Sequence, residues 1–172
     1  IGIDLMADVL KSFIKELSKN DPFQIVAKEI PLVKTLIETG YTGRKGKGGF
    51  YRVNKTGEVK VMEAINLETG KYFASKKINI KSDKVDLKKL ISREDKYGDY
   101  AWSVISKIIK YASSLVPSIT KDFNDIDEAM RLGFNWTKGP FEMLEEIGVE
   151  TFFGKIDDFK GNVFLENLSQ NR

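Results

Sequence analysis

The residue types that most often carry acid–base, nucleophilic or metal chemistry near neutral pH are missing from this sequence. It has no histidine and no cysteine, which removes the commonest general base and metal ligand, thiolate nucleophiles, disulfides and thiolate zinc sites. Chemistry would have to rest on Asp, Glu, Lys, Tyr or Ser. In Gly43-Arg44-Lys45-Gly46-Lys47-Gly48-Gly49, small residues would let backbone N–H groups approach an anion while Arg44, Lys45 and Lys47 add charge, so the loop suits a phosphate. The plainer reading is a solvated turn, because a phosphate loop usually opens a helix whose dipole assists, whereas this one opens the strand-like Phe50-Tyr51-Arg52-Val53. Asp122, Asp125, Asp127 and Glu128 form an acidic cluster of the kind that binds a divalent cation, but they lack the glycine and terminal glutamate of a calcium loop; helix capping explains them more simply. Tyr111, Lys107 and Lys110 share a helix, yet no Tyr-x-x-x-Lys pair starts at Tyr111. The expectation is therefore a chain without catalytic, cofactor-binding or metal-binding residues of its own.

The elements that would position these residues are mostly helical. Leu5, Val9, Leu10, Phe13, Ile14 and Leu17 recur at three- and four-residue spacings, predicting an amphipathic helix capped by Asp4 and stopped at Asn20-Asp21-Pro22. A second helix starts with Pro31 and ends at Gly40. Strand character follows at Phe50–Val53, at Val59 and Val61, and at Tyr72-Phe73-Ala74, predicting a small β-hairpin or extended connector. Residues 76–96, rich in Lys and Asp, read as a linker with a weak helical patch at Leu87, Leu90 and Ile91. The strongest periodicity runs from Tyr100 to Val116 and ends at Pro117. A helix capped by Asn124 or Asp125 and closed by Gly133 follows, then one opened by Pro140 and closed by Gly148. Two short helical patches fill the tail from Thr151 onward.

Composition agrees with an ordinary globular chain: of 172 residues, 41% are hydrophobic and 31% charged, enough to build a core. The 28 basic and 25 acidic residues interleave to a net charge of +3, with no basic arm or stripe to suggest nucleic acid. No apolar run approaches the roughly 20 residues that a membrane helix needs. No secretory signal is evident, and the lack of cysteine fits a reducing cytoplasm. A chain beginning at Ile1 rather than Met reads as a fragment or a processed product.

One long stretch goes beyond amphipathic patterning. Residues 125–142, Asp-Ile-Asp-Glu-Ala-Met-Arg-Leu-Gly-Phe-Asn-Trp-Thr-Lys-Gly-Pro-Phe-Glu, closely resemble the D-I-D-x-A-M-R-x-G-F-x-W-x-x-G-P-F-E element of 3-hydroxyacyl-CoA dehydrogenase C-terminal domains. Residues 43–51 are similar to that family's G-x-K-x-x-G-G-F-Y element. The resemblance implies a mainly α fold, 6-phosphogluconate dehydrogenase C-terminal-like, with a small β-hairpin connector. In that family the helical domain often occurs as tandem copies, and here the halves stand in reversed order: 1–57 resembles the second half of a first copy, 58–96 a connector like that of bacterial multi-domain fatty-acid β-oxidation members, and 97–172 the first half of a second copy with a helical tail. Ile1-Gly2-Ile3-Asp4 parallels Ile147-Gly148-Val149-Glu150, the register of the internal repeat.

The resemblance implies an NAD-binding domain elsewhere, carrying a histidine–glutamate pair, and an asparagine near the start of the first helical copy; none can be placed here, and no G-x-G-x-x-G is present. It also implies an acyl-CoA substrate, a homodimer, and inactivity of this chain alone. The alternatives are a non-catalytic helical interaction module of the same fold, and an autonomous acyl-CoA binder using Lys45 and Lys47. Gly139, Pro140, Phe141 and Glu142 form the most diagnostic tetrapeptide, but each has a structural reading: close approach, first helical turn, core and helix dipole. Phe134 and Trp136 read as core, as an acyl-chain groove or as an anchor to a neighbour. The cut copy leaves an apolar stripe to be covered, in a compact pseudo-domain or a swapped dimer.

Overall fold

The computed structural model describes residues 2–76 and 86–171. They fall into two compact units, Ile1–Ile80 and Lys81–Arg172. The segment read as a connector, 58–96, contributes strands to the first and a helix to the second.

The first unit begins with α1 (Ile3–Glu16). Its cap position is Gly2, not Asp4: the Ile3 N–H already donates to the Thr42 carbonyl and the Met6 N–H to that of Gly2, so the first turn closes ahead of Asp4. The helix stops at Glu16, short of the expected Asn20, because Leu17 turns extended. Asp21 then accepts from the Phe23 N–H at 2.8 Å and starts an unexpected turn, α2 (Phe23–Val26). Gln24 on that turn donates to the Ile14 and Leu17 carbonyls, which α1 leaves unpaired at its end. Next comes α3 (Pro31–Glu38), opened by proline as expected and followed by Gly40 at φ +84°, a conformation that glycine adopts without strain. Strands β1 (Tyr51–Asn54), β2 (Val61–Ile65) and β3 (Tyr72–Ala74) form one antiparallel sheet in that order. It is a three-stranded meander, not a hairpin, because Tyr72 and Phe73 pair with Ile65 and Ala64. Ile3, Val33, Leu36 and Ile65 make the core of this unit.

The second unit opens with α4 (Leu87–Ile91), capped by Asp86, whose carboxylate accepts from the Lys89 N–H. Of the linker expected over 76–96, residues 77–85 lie outside the described ones, whereas Ile91 of α4 is wholly buried. Then come α5 (Lys96–Ser114), α6 (Asn124–Phe134), α7 (Pro140–Ile147), α8 (Val149–Lys155) and α9 (Val163–Gln170). Helix α5 starts four residues before the apolar periodicity, because Asp95 accepts from the Tyr97 and Gly98 amides at 3.0 Å each. Helix α6 passes through Gly133 and ends at Asn135, which takes the left-handed region at φ 55°, where asparagine is tolerated better than most residues. Ile91, Ile109, Leu144, Ile147, Phe152 and Leu165 are the core of the unit.

Candidate functional site

The glycine-rich loop between α3 and β1 is a closed structure. Gly43 and Gly48 form an isolated antiparallel bridge, with the Gly43 N–H donating to the Gly48 carbonyl at 2.7 Å. The Lys47 N–H donates to Gly40 and its ammonium to the Thr39 carbonyl at 3.0 Å, so that charge sits on the C-terminal end of α3, where a cation is favoured. Glycine is required at position 46, where a Cβ would stand 2.5 Å from the Gly40 carbonyl oxygen. The three cations singled out in the loop separate. Arg44 and Lys47 border a broad depression against β1, while Lys45 borders a second one with Asp4 and Thr42, which Arg44 also reaches. None of them is in an ion pair among the described residues.

On the core-facing side of the sheet lies a polar cluster that sequence reasoning missed. Arg52 Nε donates to Glu63 at 2.6 Å, Arg52 Nη1 to the Tyr41 hydroxyl at 3.1 Å, and Asn54 Nδ2 to Glu63 at 2.9 Å. The guanidinium carbon stands 3.9 Å from the centroid of the Tyr72 ring, a cation–π contact. The Asn54 and Arg52 hydrogen bonds hold the Glu63 carboxyl below its usual range, and burial raises the Tyr72 phenol. The register Arg52↔Glu63 makes the ion pair a cross-strand pair. Only knowledge of that register, eleven residues apart in sequence, would have shown it.

In the second unit, the tetrapeptide Gly139-Pro140-Phe141-Glu142 is locked onto α6. Asp127 is 3% exposed, and its carboxylate accepts from the Phe141 N–H at 2.8 Å and the Glu142 N–H at 2.9 Å, satisfying amides that the first turn of α7 leaves unpaired. One turn along α6, Arg131 pairs with Glu142, whose other oxygen accepts from the Gly139 N–H at 2.7 Å. A Cβ at Gly139 would lie 2.3 Å from the Asp127 Cα, so only glycine fits. Burial pushes the Asp127 carboxyl up against the opposing pull of its two amides; the Gly139 amide, then Arg131, hold Glu142 down. Every polar group here is spent on another part of the same unit, which is a structural lock and not a catalytic pair. Asp127 does cap a helix, but the one that begins thirteen residues later. Asp122 and Asp125 stay local, bonding Asn124 and Thr120. Among the described residues no acidic group of three or more is arranged to hold a metal ion.

The family model described as the 3-hydroxyacyl-CoA dehydrogenase C-terminal domain matches residues 100–165. Over those residues the chain is similar to that domain family. The matched stretch contains the whole Asp127–Arg131–Glu142 lock, so the part that carries the resemblance is the one that joins α6 to α7. Similarity continues outside it. A protein of Rickettsia felis named as a fatty acid oxidation complex trifunctional enzyme is 36% identical over 144 residues, which is 84% of this chain and 20% of that protein. Its counterpart in Rickettsia prowazekii gives the same figures. A protein of Bacillus subtilis named as a 3-hydroxyacyl-CoA dehydrogenase is 28% identical over 165 residues, 91% of this chain and 20% of its own length. These spans exceed either unit, so both units share in the likeness, and the chain spans about a fifth of the relatives it matches. No solved structure matches the chain.

Two aromatic residues of the matched stretch divide. Phe134 is 70% exposed and Trp136 half-buried; Phe134 is not core, because α6 turns only one face to α7. Leu132 is exposed for the same reason.

Proposed function

We propose that this chain is the helical, C-terminal part of an NAD-dependent 3-hydroxyacyl-CoA dehydrogenase of fatty-acid β-oxidation. It works in the cytoplasm, as part of a homodimer, and is inactive by itself. The observation that carries the reading is the dehydrogenase-domain match over 100–165 in a sequence without histidine. Among the described residues no helix is long and apolar enough to cross a membrane.

NAD does not fit the residues present. A dinucleotide is cradled where a strand runs through a Gly-x-Gly-x-x-Gly turn into a helix, whereas among the described residues the glycine-rich loop runs from a helix, α3, into β1. Hydride transfer therefore belongs to another part of the protein, and this chain supplies a wall of the substrate site and surface for assembly. The test is NADH formation from a 3-hydroxyacyl-CoA, measured on the natively expressed product and on this chain. An active native product beside a silent chain is expected; an inactive native product overturns the reading.

The apolar face of α1 favours a second reading. Leu5, Met6, Val9 and Phe13 are all exposed, and so large an unpartnered stripe suits a helical interaction module that performs no chemistry. An inactive native product that nonetheless binds another subunit through α1 would establish it.

A further inference from the structure

We infer that the outer edge of β1 is a docking site for an extended acidic segment of polypeptide, which adds to the sheet as a further strand. The inference is independent of the dehydrogenase reading and rests on the backbone groups and charges at that edge.

Among the described residues β1 has a strand on one side only, because the sheet runs β1-β2-β3. The Ile65 N–H donates to the Phe50 carbonyl at 2.9 Å, and Arg52 and Asn54 stand opposite Glu63 and Val61. Hydrogen-bonded positions alternate along an antiparallel pair, so Phe50, Arg52 and Asn54 turn their backbone groups to β2, and Tyr51 and Val53 turn theirs outward. The Gly49 N–H takes the Tyr51 carbonyl at 2.9 Å. Among the described residues the Tyr51 N–H and both backbone groups of Val53 have no backbone partner. Val53 thus offers a pair of bonds to one residue of an added strand, and Tyr51 a further donor beside it. Tyr51 and Val53 are exposed, as is Met62 opposite Val53; the three present one side of the sheet, against which the side chains of an added strand can pack.

Charge decides the occupant. The depression of about 710 Å³ along this edge has no carboxylate among its lining residues. Two of its cations are spent elsewhere, the Lys47 ammonium on the Thr39 carbonyl and Arg52 on Glu63. That leaves Arg44, on the loop that the Gly43–Gly48 bridge closes ahead of β1, and Lys55, one residue beyond its end. Both are exposed, and neither is in an ion pair among the described residues. Charged side chains beside a sheet edge guard it against pairing with its own kind; here they bar a second copy of β1, which would bring like charges together. An acidic strand brings the opposite sign. The loop is ordered before any partner arrives, held by the Gly43–Gly48 bridge and by the Tyr72 hydroxyl on the Gly49 carbonyl at 2.6 Å, which lowers the ordering cost of docking.

The test is NMR titration of this chain with the peptide acetyl-Glu-Val-Glu-Thr-Glu-Val-Glu-amide, with its counterpart carrying lysine in place of glutamate, and with the glutamate peptide methylated at every backbone nitrogen. The glutamate peptide is expected to shift the Tyr51 and Val53 amides and slow their exchange with solvent; the other two peptides should do neither. Arg44→Ala/Lys55→Ala should weaken binding about fivefold, the loss of two exposed charge contacts, and flatten its salt dependence. Val53→Pro removes the outward donor at a position where an edge strand accepts proline, and should abolish binding. Lys89→Ala, in the second unit, should leave it unchanged. Circular dichroism checks that each variant is folded; if Val53→Pro is not, the methylated peptide decides the same point on the unaltered chain. No protection of Tyr51 and Val53, equal binding by the lysine or methylated peptide, or undiminished binding by the double variant overturns the site. Protection of those two amides that grows with the concentration of this chain alone would assign the edge to a second copy, and overturns it equally.

Discussion

The two units share a local pattern but bury it differently. In the first, Gly2 precedes α1 and the eight-residue α3 buries Val33 and Leu36; in the second, Gly148 precedes α8 and the eight-residue α9 buries Leu165 and half-buries Leu168 at the same positions. The second unit also holds α5 and α7, against which α9 and α8 pack, and Phe152 and Leu165 are fully buried there. Among the described residues the first has no such pair, and Leu5, Met6, Val9 and Phe13 of α1 stay exposed. An amphipathic stripe thus states a need for a partner without naming one, and equal local patterns reach unequal burial when only one has its partner helices within its unit.

The sharpest way to break this contrast is to remove side chains from each stripe. Phe152→Ala should cost about 3–5 kcal/mol, the usual range for a large buried aromatic, read in urea by the fluorescence of Trp102, which packs edge-on at 5.6 Å. Val9→Ala should change stability by less than about 0.5 kcal/mol, as exposed substitutions do. A Val9 cost as large as that of Phe152 would mean that α1 is covered in solution, and the contrast would fall.

Next in size is the α6–α7 lock. Asp127→Ala strands two amides at the head of α7 and should cost about 1–3 kcal/mol by the same urea measurement. Gly139→Ala should act in the same direction, through the clash with the Asp127 backbone. The first unit, which holds none of the lock's residues, should be unaffected, as NMR signals of its tyrosines would show.

A smaller effect comes from acid. Asp95, held by Arg93 and by the Gly98 and Tyr97 amides, has its carboxyl lowered from 3.8 to about 2. A lowered folded-state value means stability that is present above the unfolded value and lost as pH falls through the folded one. The second unit should therefore weaken between about pH 4 and pH 2, and Asp95→Asn should flatten that limb of the pH–stability curve. The least effect is expected on the sheet of the first unit: Arg52→Met together with Glu63→Leu should leave stability nearly unchanged, because a paired charge replaced by packed apolar groups is often neutral, whereas Glu63→Leu alone should be worse than the pair.

Periodicity, proline and glycine were sufficient to locate α3, α5, α7 and the tail helices, because those signals act within one or two turns of chain. Helix α2 escaped notice because four residues are too few for a period, and its cause is a single aspartate hydrogen bond. The ends of α1 and α6 moved because a distant carbonyl at Thr42 and the left-handed tolerance of Asn135 outweighed the nearest capping candidates. Of the candidate site, Arg44, Lys45 and Lys47 were visible as charge in a glycine run, but which of them share a depression, and that Tyr51, Met62 and Lys55 join it, depends on how the strands pair.

By itself the sequence determined the helical character of the chain, the absence of histidine and thiol chemistry, and, through residues 125–142, the dehydrogenase-domain likeness. Only the tertiary structure decided what those motif residues are for. Asp127 and the amides of Phe141 and Glu142 lie far apart along the chain, and no local period links them; burial is what forces them together, since an amide or carboxylate taken out of water must find a partner wherever the fold provides one.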